Sequence, residues 1–162
     1  MSTIEYRQLT VPRTLGAFAH LLMDQPERCA ELARGGSPAV MAMCLYSQGE
    51  TADAARIVDS IRTAVEEGVT PAAQTSTRAI WIPFRDLATY YAWIGDVERA
   101  LSWLDRAFAR SPNAVDFRII ESGIFDKVLA DTRFRTGLEN IRREVQNRVQ
   151  RERRAFAEQA GR

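Results

Sequence analysis

Apolar residues recur at helical spacing along nearly the whole chain, and no short run alternates between apolar and polar positions as a β-strand would. The clearest stripe follows one face of a single amphipathic helix. Its members are Val97, Ala100, Leu101, Leu104, Ala107 and Phe108. The pattern therefore predicts an all-α fold.

Short connections predict that these helices pair as hairpins. The helix before the clearest stripe ends at Gly95, which suits the left-handed conformation that closes a helix, and Asp96 can cap the next helix. Because only these two residues separate the helices, the helices must fold back antiparallel. The same plan occurs upstream, where Ser37 and Pro38 can begin a helix that ends at Gly49, with another helix directly after it.

The pattern is less regular at both ends of the chain. We expect helices over residues 12–23 and 26–34, and short helices near 115–121 and 125–130. A last helix should cover about 132–160, and its charged end should fray or project from the body.

Composition limits the class of protein. A chain of 162 residues and 18.3 kDa, 46% hydrophobic and 27% charged, is typical of one folded domain spanning 1–162. The net charge of +1 argues against nucleic acid or an anionic membrane as the main partner. We find no apolar stretch long enough to cross a bilayer and no secretory pattern at the start, so we expect a cytoplasmic protein.

Candidate chemistry is sparse in the sequence. It lacks the common nucleotide-binding, zinc-protease, serine-hydrolase and EF-hand motifs, and His20 is the single histidine. Cys29 and Cys44 lie fifteen positions apart without metal-ligand spacing, so we expect two reduced, buried thiols. We therefore predict no enzyme, with no catalytic residues, no cofactor and no metal site.

Hairpins joined by Gly-Asp or Gly-Glu, with small residues at fixed offsets, resemble the tetratricopeptide repeat (TPR), a helical hairpin of 34 residues. The resemblance is clearest over residues 81–114 and weaker over 35–68. The matching positions of the clearer unit are Phe84, Leu87, Ala88, Tyr91, Ala100, Leu104, Ala107 and Pro112. Gly49 and Gly95 are 46 residues apart, so the excess over one repeat must lie between Val69 and Trp81.

The resemblance implies a fold and a binding surface. The fold would be a short TPR-like α-solenoid of stacked antiparallel hairpins with a charged C-terminal capping helix. In that family the first helix of each repeat lines a concave groove, and Trp93 could either anchor a partner there or pack on the neighbouring hairpin. The groove residues implied for this chain are Met43, Tyr46, Arg85, Asp86, Thr89 and Trp93.

The function implied is a non-enzymatic scaffold or adaptor that binds a protein or peptide segment in a bacterial signalling or regulatory system. The alternative is a self-association module that forms homo-oligomers through the last helix. From Arg135 to Arg154 that helix carries seven arginines against three glutamates, an excess of four positive charges. Such an end can also be a solubilising cap or a weak contact for nucleic acid, although nucleic acid is the less favoured partner.

Overall fold

The structure of the protein, a computed structural model, describes residues 3–68, 82–110 and 117–160. Every regular element in these three ranges is a helix, which confirms the all-α prediction for the described part of the chain. The predicted loop after Val69, Trp81 and the closing Pro112 lie outside the described residues.

Nine α-helices and one π-helical segment make up the described ranges. In chain order they are α1 (Thr3–Leu22), α2 (Pro26–Ala33), α3 (Pro38–Ser47), α4 (Thr51–Glu66), α5 (Ile82–Ile94), α6 (Val97–Arg110), α7 (Phe117–Ile119), the π-helical segment (Ile120–Ile124), α8 (Asp126–Leu129) and α9 (Thr132–Ala160).

Local chemistry explains the ends of the central helices. Ser37 caps α3, because its side chain accepts a hydrogen bond from the backbone N–H of Val40. Gly95 has a φ of +84° and so closes α5 in the left-handed conformation. The Asp96 carboxylate then accepts the backbone N–H of Arg99 at 3.0 Å and starts α6. Both predicted hairpins, α3–α4 and α5–α6, are therefore confirmed.

The predicted start of the first helix is wrong. Helix α1 begins at Thr3, so Pro12 lies inside it. Proline removes one backbone donor and strains one turn, a local loss that a helix of 20 residues can absorb. In contrast, α2, α3 and α9 begin within a residue or two of their predicted positions.

Successive hairpins pack side by side. The first helix of each hairpin contacts the first helix of the next, α1 with α3, α3 with α5 and α5 with α8. The second helices α6 and α9 also contact each other, and α4 contacts α5. Helix α5 is consequently central, and none of its side chains from Pro83 to Ile94 is exposed.

Small residues allow this close packing. Ala88 on α5 and both Ala100 and Ala107 on α6 are fully buried. Helix axes approach to about 8–10 Å only where the contacting side chains are small. A second close approach joins α6 to α9, where a Cβ placed on Gly137 would lie 2.5 Å from Cδ1 of Leu101.

The cysteine prediction is half wrong. Cys29 on α2 and Cys44 on α3 are buried as expected, but they form a disulfide with their Cα atoms 5.7 Å apart. Their separation of 15 residues gave no indication of this, because it is packing of α2 against α3 that brings the two sulfur atoms together. The bond joins the first hairpin to the second.

Candidate functional site

The predicted groove residues lie where α3 packs against α5 and where α5 meets α8. Met43 on α3 and Thr89 on α5 are both buried. The hydroxyl of Thr89 donates a hydrogen bond to the carbonyl of Arg85, one turn earlier in the same helix, at 2.8 Å. Neither side chain is exposed in this arrangement, so their assignment to a binding groove stays a prediction.

Arg85 and Asp86 form a pair at the start of α5. Nη2 of Arg85 lies 3.4 Å from Oδ1 of Asp86, and the Ser37 hydroxyl donates to Oδ2 of Asp86, also at 3.4 Å. The side chains are only 26% and 19% exposed. Burial raises the pKa of Asp86, and the charge and hydrogen bond of Arg85 and the hydrogen bond of Ser37 oppose that rise only in part. The pair therefore connects α5 to the N-terminal cap of α3.

Tyr46 belongs to an aromatic cluster that the sequence reasoning missed. Its ring packs edge-on against Tyr90, with centroids 6.4 Å apart, and Tyr90 packs edge-on against Tyr91 at 5.5 Å. Burial raises the pKa of both Tyr90 and Tyr91. Arg99 stacks over the Tyr91 ring at 5.4 Å. The cluster holds α3, α5 and α6 together, and two adjacent tyrosines on a predicted helix were its only signal.

Trp93 contacts the hairpins on both sides of it. Its indole N–H donates to the hydroxyl of Ser47 at 2.9 Å, and Nζ of Lys127 lies 4.8 Å from the ring centroid. The side chain is half-buried. Of the two interpretations considered for Trp93, these contacts favour packing on neighbouring elements over an exposed anchor.

The π-helical segment contacts the end of α1. A Cβ placed on Gly123 of the π-helical segment would lie 3.3 Å from Cδ2 of Leu22, at the end of α1. The φ of +100° at Gly123 kinks the backbone there. Ile120 and Ile124 of the same segment are buried, while Leu22 is 44% exposed. The π-helical segment thus lies close to the end of α1, and an open groove along the first helices stays a prediction.

Large apolar side chains are exposed at two places among the described residues, near the end of α1 at Leu15, Leu22 and Met23, and on the last helix. Every side chain from Gln146 to Gln159 is exposed, and we call residues 146–160 the α9 tail. Val149 is 38% exposed and Phe156 is 74% exposed. The two residues are two helical turns apart and continue the line of Leu138, Ile141 and the half-buried Val145.

The register of α9 on α6 explains where the tail begins. Leu101 lies beside Gly137, and Nη1 of Arg133 lies 3.4 Å from Oε1 of Glu98, so the two helices run parallel. The same register places Arg110, the last residue of α6, level with Gln146. Beyond that point α9 has no α6 left to pack on, and its apolar stripe continues into solvent.

An open depression lies beside the body-packed half of α9. It has a volume of about 570 Å³ and lies between α9 and the π-helical segment. Arg142 on its wall forms salt bridges with Glu121 at 2.8 Å and with Glu139 at 3.3 Å. The charge of Arg142 is thus balanced by carboxylates of the protein itself.

The described residues provide neither a cluster of metal ligands nor a membrane-spanning helix. In that part of the chain no group of three or more His, Cys, Asp or Glu side chains is placed to hold a metal ion. Of the helices in the described ranges, none combines the length and apolarity that a membrane span requires. Compared with family models, curated proteins and solved structures, the chain matches none of them.

Proposed function

We propose that this chain is a non-enzymatic protein-binding module made of TPR-like helical hairpins, and that it binds through the α9 tail instead of an inner groove. The single observation that carries the proposal is the free tail, in which Val149 and Phe156 continue a buried apolar stripe into solvent.

The packing order supports the TPR-like part of the proposal. First helices lie against first helices, α6 runs parallel to α9, and fully buried alanines occupy the family's small-residue positions. A stack of this kind buries its apolar faces between neighbouring hairpins. In this chain the first half of α9 is covered in that way by α6, whereas the tail has no neighbour among the described residues.

Energetics support the binding role of the tail. A fifteen-residue helix extends about 22 Å, and an isolated helix of that length is marginal in water. Within the tail, the pair between Arg148 and Glu152 at 3.3 Å gives some local support, worth only about 0.3–0.5 kcal/mol. A partner that covered Val149 and Phe156 would supply the missing packing and stabilise the tail. Helix-in-groove and helix-pair recognition both work in this way.

Site-specific photocrosslinking tests the proposal. A benzophenone side chain at position 156 should crosslink the full-length chain, in its source cells, to a protein identified by mass spectrometry. The same group at Asn147, on the opposite face of the tail, is the matched control. We expect adducts that depend on position 156 and disappear with the additional substitution Val149→Asp. Equal adducts from both positions, or none from position 156, would overturn the proposal, and adducts with a second copy would establish the self-association alternative.

A further inference from the structure

The charges of the α9 tail are unevenly compensated. Its four arginines face only two glutamates. Glu152 is neutralised within the tail by Arg148. Among the described residues Arg151, Arg153 and Arg154 make no ion pair, so the tail keeps an uncompensated positive charge beside its apolar stripe.

Arg153 is placed to act together with the stripe. It follows Val149 by four residues and precedes Phe156 by three, so it lies on the turn between them and borders the same face. Arg154, the next residue, points away from that face. A helix laid along Val149 and Phe156 would therefore bring its own edge close to the guanidinium of Arg153.

From these positions we infer that the occupant of the stripe is an amphipathic helix on another protein, with an acidic edge on the side that faces Arg153. This inference rests on the proposed function and names the partner's chemistry. A second copy of the tail is disfavoured, because pairing two tails would double the uncompensated positive charge across a short contact. An acidic helix instead supplies the apolar face that covers Phe156 and the carboxylates that meet Arg153.

A selection experiment with the full-length chain tests the inference. The library displays eighteen-residue helices with a fixed leucine stripe, and each position bordering the stripe is Glu, Gln or Lys at random. We expect selection on the wild-type chain to enrich Glu over Lys at the border positions by at least about fivefold. The selected peptides are then measured by fluorescence anisotropy against two variants, Arg153→Glu and the matched control Arg154→Glu.

Both variants change the net charge equally, and only the first changes the border of the stripe. We expect Arg153→Glu to weaken binding at least about fivefold and Arg154→Glu to weaken it less than about twofold at 0.15 M salt. The variant Phe156→Ala should weaken binding at least tenfold while the circular dichroism of the body stays unchanged.

Several outcomes would overturn the inference. These are no enrichment of Glu, equal weakening by the two arginine variants, and a concentration-dependent dimer of the free chain that Phe156→Ala abolishes. Another contrary result is that the chain binds a 20-base-pair duplex more tightly than the selected peptides, with an affinity that Phe156→Ala leaves unchanged. That result would identify nucleic acid as the partner. If unbiased peptides bind and need Phe156, the acidic partner is wrong but the proposed protein-binding function survives. If nothing binds and position 156 crosslinks no protein, both are wrong.

Discussion

The contact between Gly137 on α9 and Leu101 on α6 permits a sharp test of how the last helix docks. A Cβ added at Gly137 would lie 2.5 Å from Cδ1, 2.6 Å from Cδ2 and 3.1 Å from Cγ of Leu101. These separations are shorter than van der Waals contact, so Leu101 or the helix must move. Gly137 is therefore kept small by packing, in a helix where alanine would otherwise be preferred.

Two opposing effects set the magnitude of the change Gly137→Ala. Alanine in a helix interior is favoured over glycine by about 1 kcal/mol. Overpacking a fitted contact costs about 1–3 kcal/mol. We therefore expect a net loss of up to about 2 kcal/mol in the free energy of unfolding.

The control variant Leu101→Ala removes the side chain that the new Cβ would meet. In that background the methyl group added at position 137 has room, so Gly137→Ala should raise the free energy of unfolding by about 1 kcal/mol. Urea unfolding followed by circular dichroism on the four chains of this double-mutant cycle measures the coupling, which should be about 1–3 kcal/mol. If Gly137→Ala changes stability equally in both backgrounds, α9 does not dock on α6 through this contact.

Three further predictions concern the body of the protein. Reduction of the Cys29–Cys44 bond, whose residues are 15 positions apart, should lower the free energy of unfolding by about 3 kcal/mol, and identical urea midpoints with and without reductant would exclude the bond. Because burial raises the pKa of Asp86, the folded state holds its proton more tightly, so the free energy of unfolding should fall as the pH rises from about 4 through that raised pKa. Asp86→Asn should remove this slope, and an unchanged slope would contradict the assigned burial. Ala107→Leu should cost about 1–3 kcal/mol in thermal melts, whereas the exposed Ala109→Leu should cost little, and equal midpoints would contradict close packing at Ala107.

Local patterns predicted the helices well because their signals are local. The cap at Ser37, the left-handed Gly95 and the stripe on α6 each depend on residues a few positions apart, and each is present in the structure. Buried alanines at the small-residue positions were also predictable, since close helix approach requires them.

Long-range packing was not predictable in this way. The disulfide depends on how α2 lies on α3, and the contact of the π-helical segment with Leu22 occurs at the kink of Gly123. Periodicity shows which face of a helix is apolar, but it does not show whether that face meets solvent, a partner or another helix of the same chain. For this reason Met43 and Thr89 were assigned to a groove although they lie in the core.

The disulfide also bears on the expected cytoplasmic location. Disulfides persist in oxidising compartments and are rare where thiol reductants keep cysteines reduced. The location was inferred from the absence of a secretory pattern, and the bond in the structure argues in the opposite direction. A thiol count on the chain isolated from its source cells under acid quench would decide between a lasting bond and a reduced pair.

The same physical requirement distinguishes the packed body from the tail. Apolar residues on α1, α3 and α5 are buried where these helices contact one another, and that burial stabilises the fold. The tail has no such neighbour, because α6 ends level with Gln146 and the described residues provide no later element to cover Val149 and Phe156. An apolar stripe that extends past the helix supporting it, with Arg153 uncompensated beside it, is what the proposed partner helix would cover. The proposed binding role therefore depends on where α9 extends beyond α6, which the register of α9 on α6 determines.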